Sequence, residues 1–135
     1  MMVKFKKNNV LAVSLFRFTF CAALGTISWL AFTSGPPGVT IVFWDKFNHF
    51  AAFITLAFLA DFSWPLRSRF QTLLIMILLI GYGLAIEIIQ SFLNYRYFEW
   101  NDLIADTLGV VIYIPCGVLL DRIVYVGPSK GNAHV

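Results

Sequence analysis

Four apolar runs dominate this sequence and leave few folds open to it. They cover residues 10–32, 45–62, 70–93 and 101–124, and the shortest has 18 residues. At about 1.5 Å per residue, a helix of that length spans a hydrocarbon layer about 30 Å thick. Of the 135 residues, 59% are hydrophobic and 13% charged, and the mean hydropathy is +0.78. A soluble domain of this size has too little interior to hide so much apolar surface. The expected fold is an all-α membrane protein, a four-transmembrane-helix bundle.

The first run follows a basic start, M-M-V-K-F-K-K, and is interrupted only by Arg17. A signal peptide has the same flank, but its apolar core is about 7–15 residues long. This run is longer and ends without a good cleavage site, so it reads as a retained span with Arg17 snorkelling toward the basic flank. The turn S-G-P-P-G at 34–38 ends it, and Trp64-Pro65 ends the second run. The chain then divides into a basic head (1–9), a membrane domain (10–125) and a tail (126–135).

Charge orients the bundle. The head, the tail and the 2–3 connection hold Lys4, Lys6, Lys7, Arg67, Arg69, Arg122 and Lys130, whereas the other side holds only Lys46 and Arg96. The positive-inside rule places both termini in the cytoplasm, N-in/C-in. A net charge of +3 with no RNA- or DNA-binding motif gives no case for nucleic acid as a partner. The lipid bilayer is the expected partner, and oligomeric state is not legible. Cys21 and Cys116, both in apolar surroundings, read as inert membrane-buried thiols.

The acids are distributed the opposite way. Asp45, Glu87, Glu99, Asp102 and Asp106 fall in the outer half, and only Asp61 and Asp121 at the inner ends. Asp45 and His49 are four residues apart on the second run, with Lys46 beside them. Glu87 and Gln90 share a face of the third run, and Asp102 and Asp106 a face of the fourth. An ionisable side chain within a span is costly against lipid, so these groups should turn inward and converge. The candidate ligand-binding set is Asp45, Lys46, His49, Glu87, Gln90, Arg96, Asp102 and Asp106.

Plainer readings exist for single residues. Asp102 fits a helix's first turn, with Asn101 as cap. Lys46 and Arg96 would neutralise nearby acids, the Trp and Tyr residues would mark the membrane interface, and Asp61 would pair with Arg67 and Arg69. Gly109 and Gly117, eight apart, would allow close packing of the fourth helix. The asymmetry of the acids as a group favours a functional outer pocket.

The ordered motifs D-K-x-x-H-F (Asp45, Lys46, His49, Phe50), E-x-x-Q (Glu87, Gln90), Arg96, Asp102 and D-T-L-G (Asp106 to Gly109) resemble the VanZ-like family of small bacterial membrane proteins. The resemblance covers about residues 45–117. Asp106 stands where the family commonly has Asn, Leu93-Asn94-Tyr95 replaces a Pro-Gly, and Tyr113 replaces a second Gly. It implies a multi-pass protein of the bacterial cytoplasmic membrane with a role at the cell envelope. The founding member is an accessory factor in resistance to the glycopeptide teicoplanin.

Two functions fit these residues. One is binding or protection of an envelope component, such as a lipid-linked precursor or a glycopeptide. The other is an interfacial enzyme acting on a lipid-linked precursor, with Glu87, Asp106 and His49 as catalytic candidates for acid–base work, metal-assisted or not. No nucleophile motif, phosphate loop or zinc-ligand spacing is present, so no metal site or cofactor is assigned from the sequence.

Overall fold

The computed structural model describes residues 10–33, 42–64 and 69–124, with side chains described for 10–33, 46–64 and 70–117. Four α-helices make up the fold, with no strand among the described residues. They are α1 (Val10–Phe32), α2 (Val42–Ser63), α3 (Arg69–Ser91) and α4 (Trp100–Val124). All four expected helices are present. The third stops earlier than its hydropathy suggests, because Phe92 and Leu93 bond back to Ile89 and Gln90 in tight turns. The turn at 34–38 and the basic residues Lys4, Lys6, Lys7, Arg67 and Lys130 lie outside the described residues, as do the side chains of Arg69, Asp121 and Arg122.

Among the described residues, two helices are long and apolar enough to cross a membrane, α1 with mean hydropathy 1.9 and Phe70–Ser91 of α3 with 2.4. The surface supports a membrane setting as well. Val10, Phe18, Trp29 and Phe70 are each at least 73% exposed, while Ser63, Glu87, Gln90, Asp102 and Asp106 are buried. In a soluble protein that distribution would be inverted. Thr19, Thr26, Thr33, Thr55 and Thr107 each donate their hydroxyl to the carbonyl four residues back, so these hydroxyls need no water.

The helices alternate in direction. Arg17 near the start of α1 reaches the end of α2, where its Nε donates to the Ser63 carbonyl at 3.1 Å and its guanidinium lies 5.7 Å from the Trp64 ring. The expected snorkelling of Arg17 is thus a specific bond to a helix-terminal carbonyl. At the other end of α1, Gln90 donates to the Ala31 carbonyl (3.0 Å) and Tyr95 to that of Phe32 (2.6 Å). Between them, Tyr82 donates to the Leu24 carbonyl and shares a 2.8 Å hydroxyl bond with Ser28. The α3–α4 loop end therefore gathers the end of α1, the start of α2, the end of α3 and the start of α4.

The α2–α4 pair is the most extensive helix contact. Gly109 makes it possible, because a Cβ there would lie 2.6 Å from the Phe50 carbonyl and 3.0 Å from the Ile54 nitrogen. Gly117 differs: the three described atoms nearest to a Cβ there all belong to Tyr113 on its own helix. The core around this contact contains Phe53, Leu56, Ala57, Leu79, Ile86 and Val110. Tyr113, in place of the small residue the resemblance implies, donates its hydroxyl to Asp61 at 2.8 Å. Asp61 is thus tied to α4, and the proposed pairing with Arg67 and Arg69 lies outside the described side chains.

Candidate functional site

Three helices bring charged groups together at the α3–α4 loop end. Asp102 and Asp106 lie one turn apart on α4, both facing α2, and are 3% and 0% exposed. From α2, Lys46 bonds Glu99 at 2.9 Å and Asp102 Oδ1 at 3.0 Å. One turn further, His49 Nδ1 lies 2.9 Å from Asp106 Oδ1, and its Nε2 is 3.8 Å from Asp102 Oδ2. The first-turn aspartate is therefore more than a solvated helix start. The α4 N-terminus is also set one residue earlier than expected: Asn101 lies inside the helix, and the Glu99 carbonyl takes the Asp102 and Leu103 N–H groups.

Glu87 contributes from α3. It is fully buried, and its Oε2 accepts the Glu99 backbone N–H at 2.9 Å, just ahead of α4. That N–H belongs to the positive end of the α4 dipole, a favourable place for a carboxylate. The other oxygen, Oε1, is buried without a hydrogen-bond partner among the described residues, and so is Asp106 Oδ2. A bare buried oxygen is costly, so these two atoms mark where a cation, proton or polar ligand is wanted.

One residue essential to this packing was missed in the sequence. Gly83 lies one turn before Glu87, and a Cβ on it would fall 2.6 Å from Asp106 Oδ2 and 3.1 Å from the Phe53 ring. The Asp106 carboxylate rests against the bare α3 backbone there. Gly81, two residues earlier, has nothing within 4 Å, so only three-dimensional packing distinguishes the two.

The structure therefore joins Lys46, His49, Glu87, Asp102 and Asp106, with Glu99 at the rim. Gln90 belongs elsewhere, since its amide is spent on the end of α1. Arg96 lies on the loop, where its backbone N–H bonds the Leu93 carbonyl. The Asp45 side chain lies outside the described residues. Cys21 and Cys116 are free and exposed on the apolar surface. A separate apolar cavity of about 630 Å³ between α1, α2 and α3, beside Arg17, Trp64 and Tyr82, touches none of the candidate residues.

Fold and site together define an all-helical protein with an apolar exterior and a nest of buried carboxylates at one end. The chain belongs to the VanZ/LLP1 family, whose sequence profile matches residues 3–121. It is also similar to an uncharacterized protein of Schizosaccharomyces pombe, 31% identical over 93 residues. That match covers 68% of this chain and 57% of the yeast protein, so this chain spans little more than half of that relative's length. No solved structure matches it. A relative in a yeast means that similarity of this kind is not confined to bacteria.

Proposed function

We propose that this protein crosses the bacterial cytoplasmic membrane four times, with both termini inside, and binds a cell-envelope component in an outward-facing polar pocket. The observation that carries this reading is the convergence of His49, Glu87, Asp102 and Asp106 from three helices, with Glu87 Oε1 and Asp106 Oδ2 lacking hydrogen-bond partners among the described residues. Groups placed only to stabilise the bundle would be expected to satisfy one another. The alternating helix directions and the basic residues at 4–7, 67–69 and 122–130 favour the inside location of the termini. Lys46, bonded to Glu99 and Asp102, and Arg96 on the loop put positive charge at the same end, which a phosphate or carboxylate of the ligand would meet in competition with those acids. Protection against a glycopeptide antibiotic is one outcome such binding would have.

A second reading is an enzyme acting on a lipid-linked precursor. The His49–Asp106 contact favours it, because a carboxylate that orients an imidazole is a common element of acid–base sites. Reconstituted protein and a purified lipid-linked precursor separate the two. Saturable binding without turnover, lost in Glu87→Gln and Asp102→Asn at equal membrane abundance, supports binding. Turnover by the wild type but not by Glu87→Gln supports the enzyme. Unaltered binding by both variants overturns the pocket.

A further inference from the structure

Among the described residues, two buried carboxylate oxygens of the site, Glu87 Oε1 and Asp106 Oδ2, have no hydrogen-bond donor. Asp106 Oδ1 is 2.9 Å from His49 Nδ1, a contact that a ring proton on Nδ1 makes into a donated hydrogen bond. In the neutral tautomer with that proton, the lone pair is on Nε2, which faces Asp102 Oδ2 at 3.8 Å. Two acceptors at that separation do not bond each other. Two ligands of one metal ion at about 2.1 Å each lie roughly 3.0–4.2 Å apart, a range that includes this spacing.

A third acceptor completes the set. One ligand atom each from His49, Glu87 and Asp102 lies within 4.8 Å of the other two. Glu87 is fully buried, and one of its oxygens, Oε1, has no hydrogen-bond partner among the described residues. Closing this triangle on one ion requires side-chain shifts of about an ångström. We propose that His49, Glu87 and Asp102 form a three-ligand site for a divalent first-row transition metal, Zn2+ or Mn2+, with Asp106 as the residue that positions the imidazole.

The donor set chooses the metal. One imidazole nitrogen with carboxylate oxygens suits Zn2+ and Mn2+ better than Mg2+ or Ca2+, which favour all-oxygen shells. Thiolates are not involved, because both cysteines are exposed on the apolar surface. Each ligand comes from a different helix, so the ion would pin α2, α3 and α4 together. Asp106 on Nδ1 reproduces the carboxylate–histidine–metal arrangement that sets tautomer and ring orientation. Lys46 holds the other oxygen of Asp102, Oδ1, and so leaves Oδ2 to the metal. Three protein ligands leave a coordination position for water or for an oxygen of a bound anion. This assignment does not depend on which envelope component is bound.

The test uses tag-free full-length protein in detergent, because the tail carries a second histidine, His134. Metal-stripped protein is titrated with ZnCl2 and, separately, with MnCl2, and bound metal is counted by mass spectrometry. The expected result is about one saturable equivalent of at least one of these ions per chain. Binding should be lost in Glu87→Gln and in Asp102→Asn, weakened at least about tenfold in Asp106→Asn, and kept in Glu99→Gln. Helicity and monodispersity are measured alongside. X-ray absorption of the loaded wild type reads the site without any variant and should show one histidine nitrogen with oxygen donors. Absence of saturable binding to folded wild type, binding untouched in folded Glu87→Gln, or a shell with sulfur or several histidines would overturn the assignment.

Discussion

The Nδ1 of His49 on α2 and the Oδ1 of Asp106 on α4 lie 2.9 Å apart, with Asp106 fully buried and His49 nearly so. This contact joins the two helices that pack most extensively, and it sits one turn inside the Lys46–Asp102 bridge. Position 106 commonly carries Asn in the family that the motifs resemble, and either side chain offers an acceptor to the imidazole. Only Asp adds a second acceptor oxygen, and that oxygen has no partner among the described residues.

Asp106→Asn and Asp106→Ala should therefore separate. The amide keeps an acceptor for His49 and should cost about 1 kcal/mol or less. Alanine removes the acceptor at Nδ1 and leaves a void, and should cost about 1–3 kcal/mol. Thermal or chemical unfolding in detergent measures both.

Three glycines on two helices should give three outcomes. Gly109→Ala places a methyl 2.6 Å from a backbone oxygen of α2, which cannot yield, and should cost about 1–3 kcal/mol or block assembly. Gly83→Ala meets the end of the Asp106 side chain, so the carboxylate is displaced, stability falls less, and ligand or metal binding suffers most. Gly81→Ala has open space and should stabilise by up to about 1 kcal/mol through helix propensity. Unfolding and binding measured on the same three variants check the order.

Lys46 has two carboxylate partners of unequal value. The Glu99 side chain is 49% exposed and that of Asp102 is 5% exposed. Removing the rim partner by Glu99→Gln should cost about 0–1 kcal/mol, as for other exposed pairs. Lys46→Met leaves Asp102 uncompensated in a buried setting and should be clearly the more damaging. A double-mutant cycle between positions 46 and 102 should show stronger coupling than one between 46 and 99.

Helix number, approximate ends and the identity of the acidic cluster were legible in the sequence because hydropathy and i, i+4 spacing are local signals. The contacts between helices were not. Gly83 and Gly81 look alike in sequence, yet only Gly83 lies under a carboxylate. Gln90 shares a face with Glu87, but a carbonyl at the open end of α1 takes its amide. Gly117 fits a small-residue stripe, yet its neighbour is Tyr113 of its own helix. That His49, Glu87 and Asp102 converge was expected from their charge and depth, but the close triangle they form was not, because its members lie on three helices and no linear spacing encodes it.

The central claim, an outward-facing polar pocket, is tested most directly by labelling from outside the cell. Cys21 and Cys116 are replaced by serine, and Glu99→Cys and Lys130→Cys are made singly in that background. A membrane-impermeant maleimide is then applied to intact cells and, in parallel, to permeabilised cells. Labelling at position 99 in intact cells, with position 130 reacting only after permeabilisation, is the predicted result. Protection at position 99 together with labelling at 130 in intact cells would contradict the account.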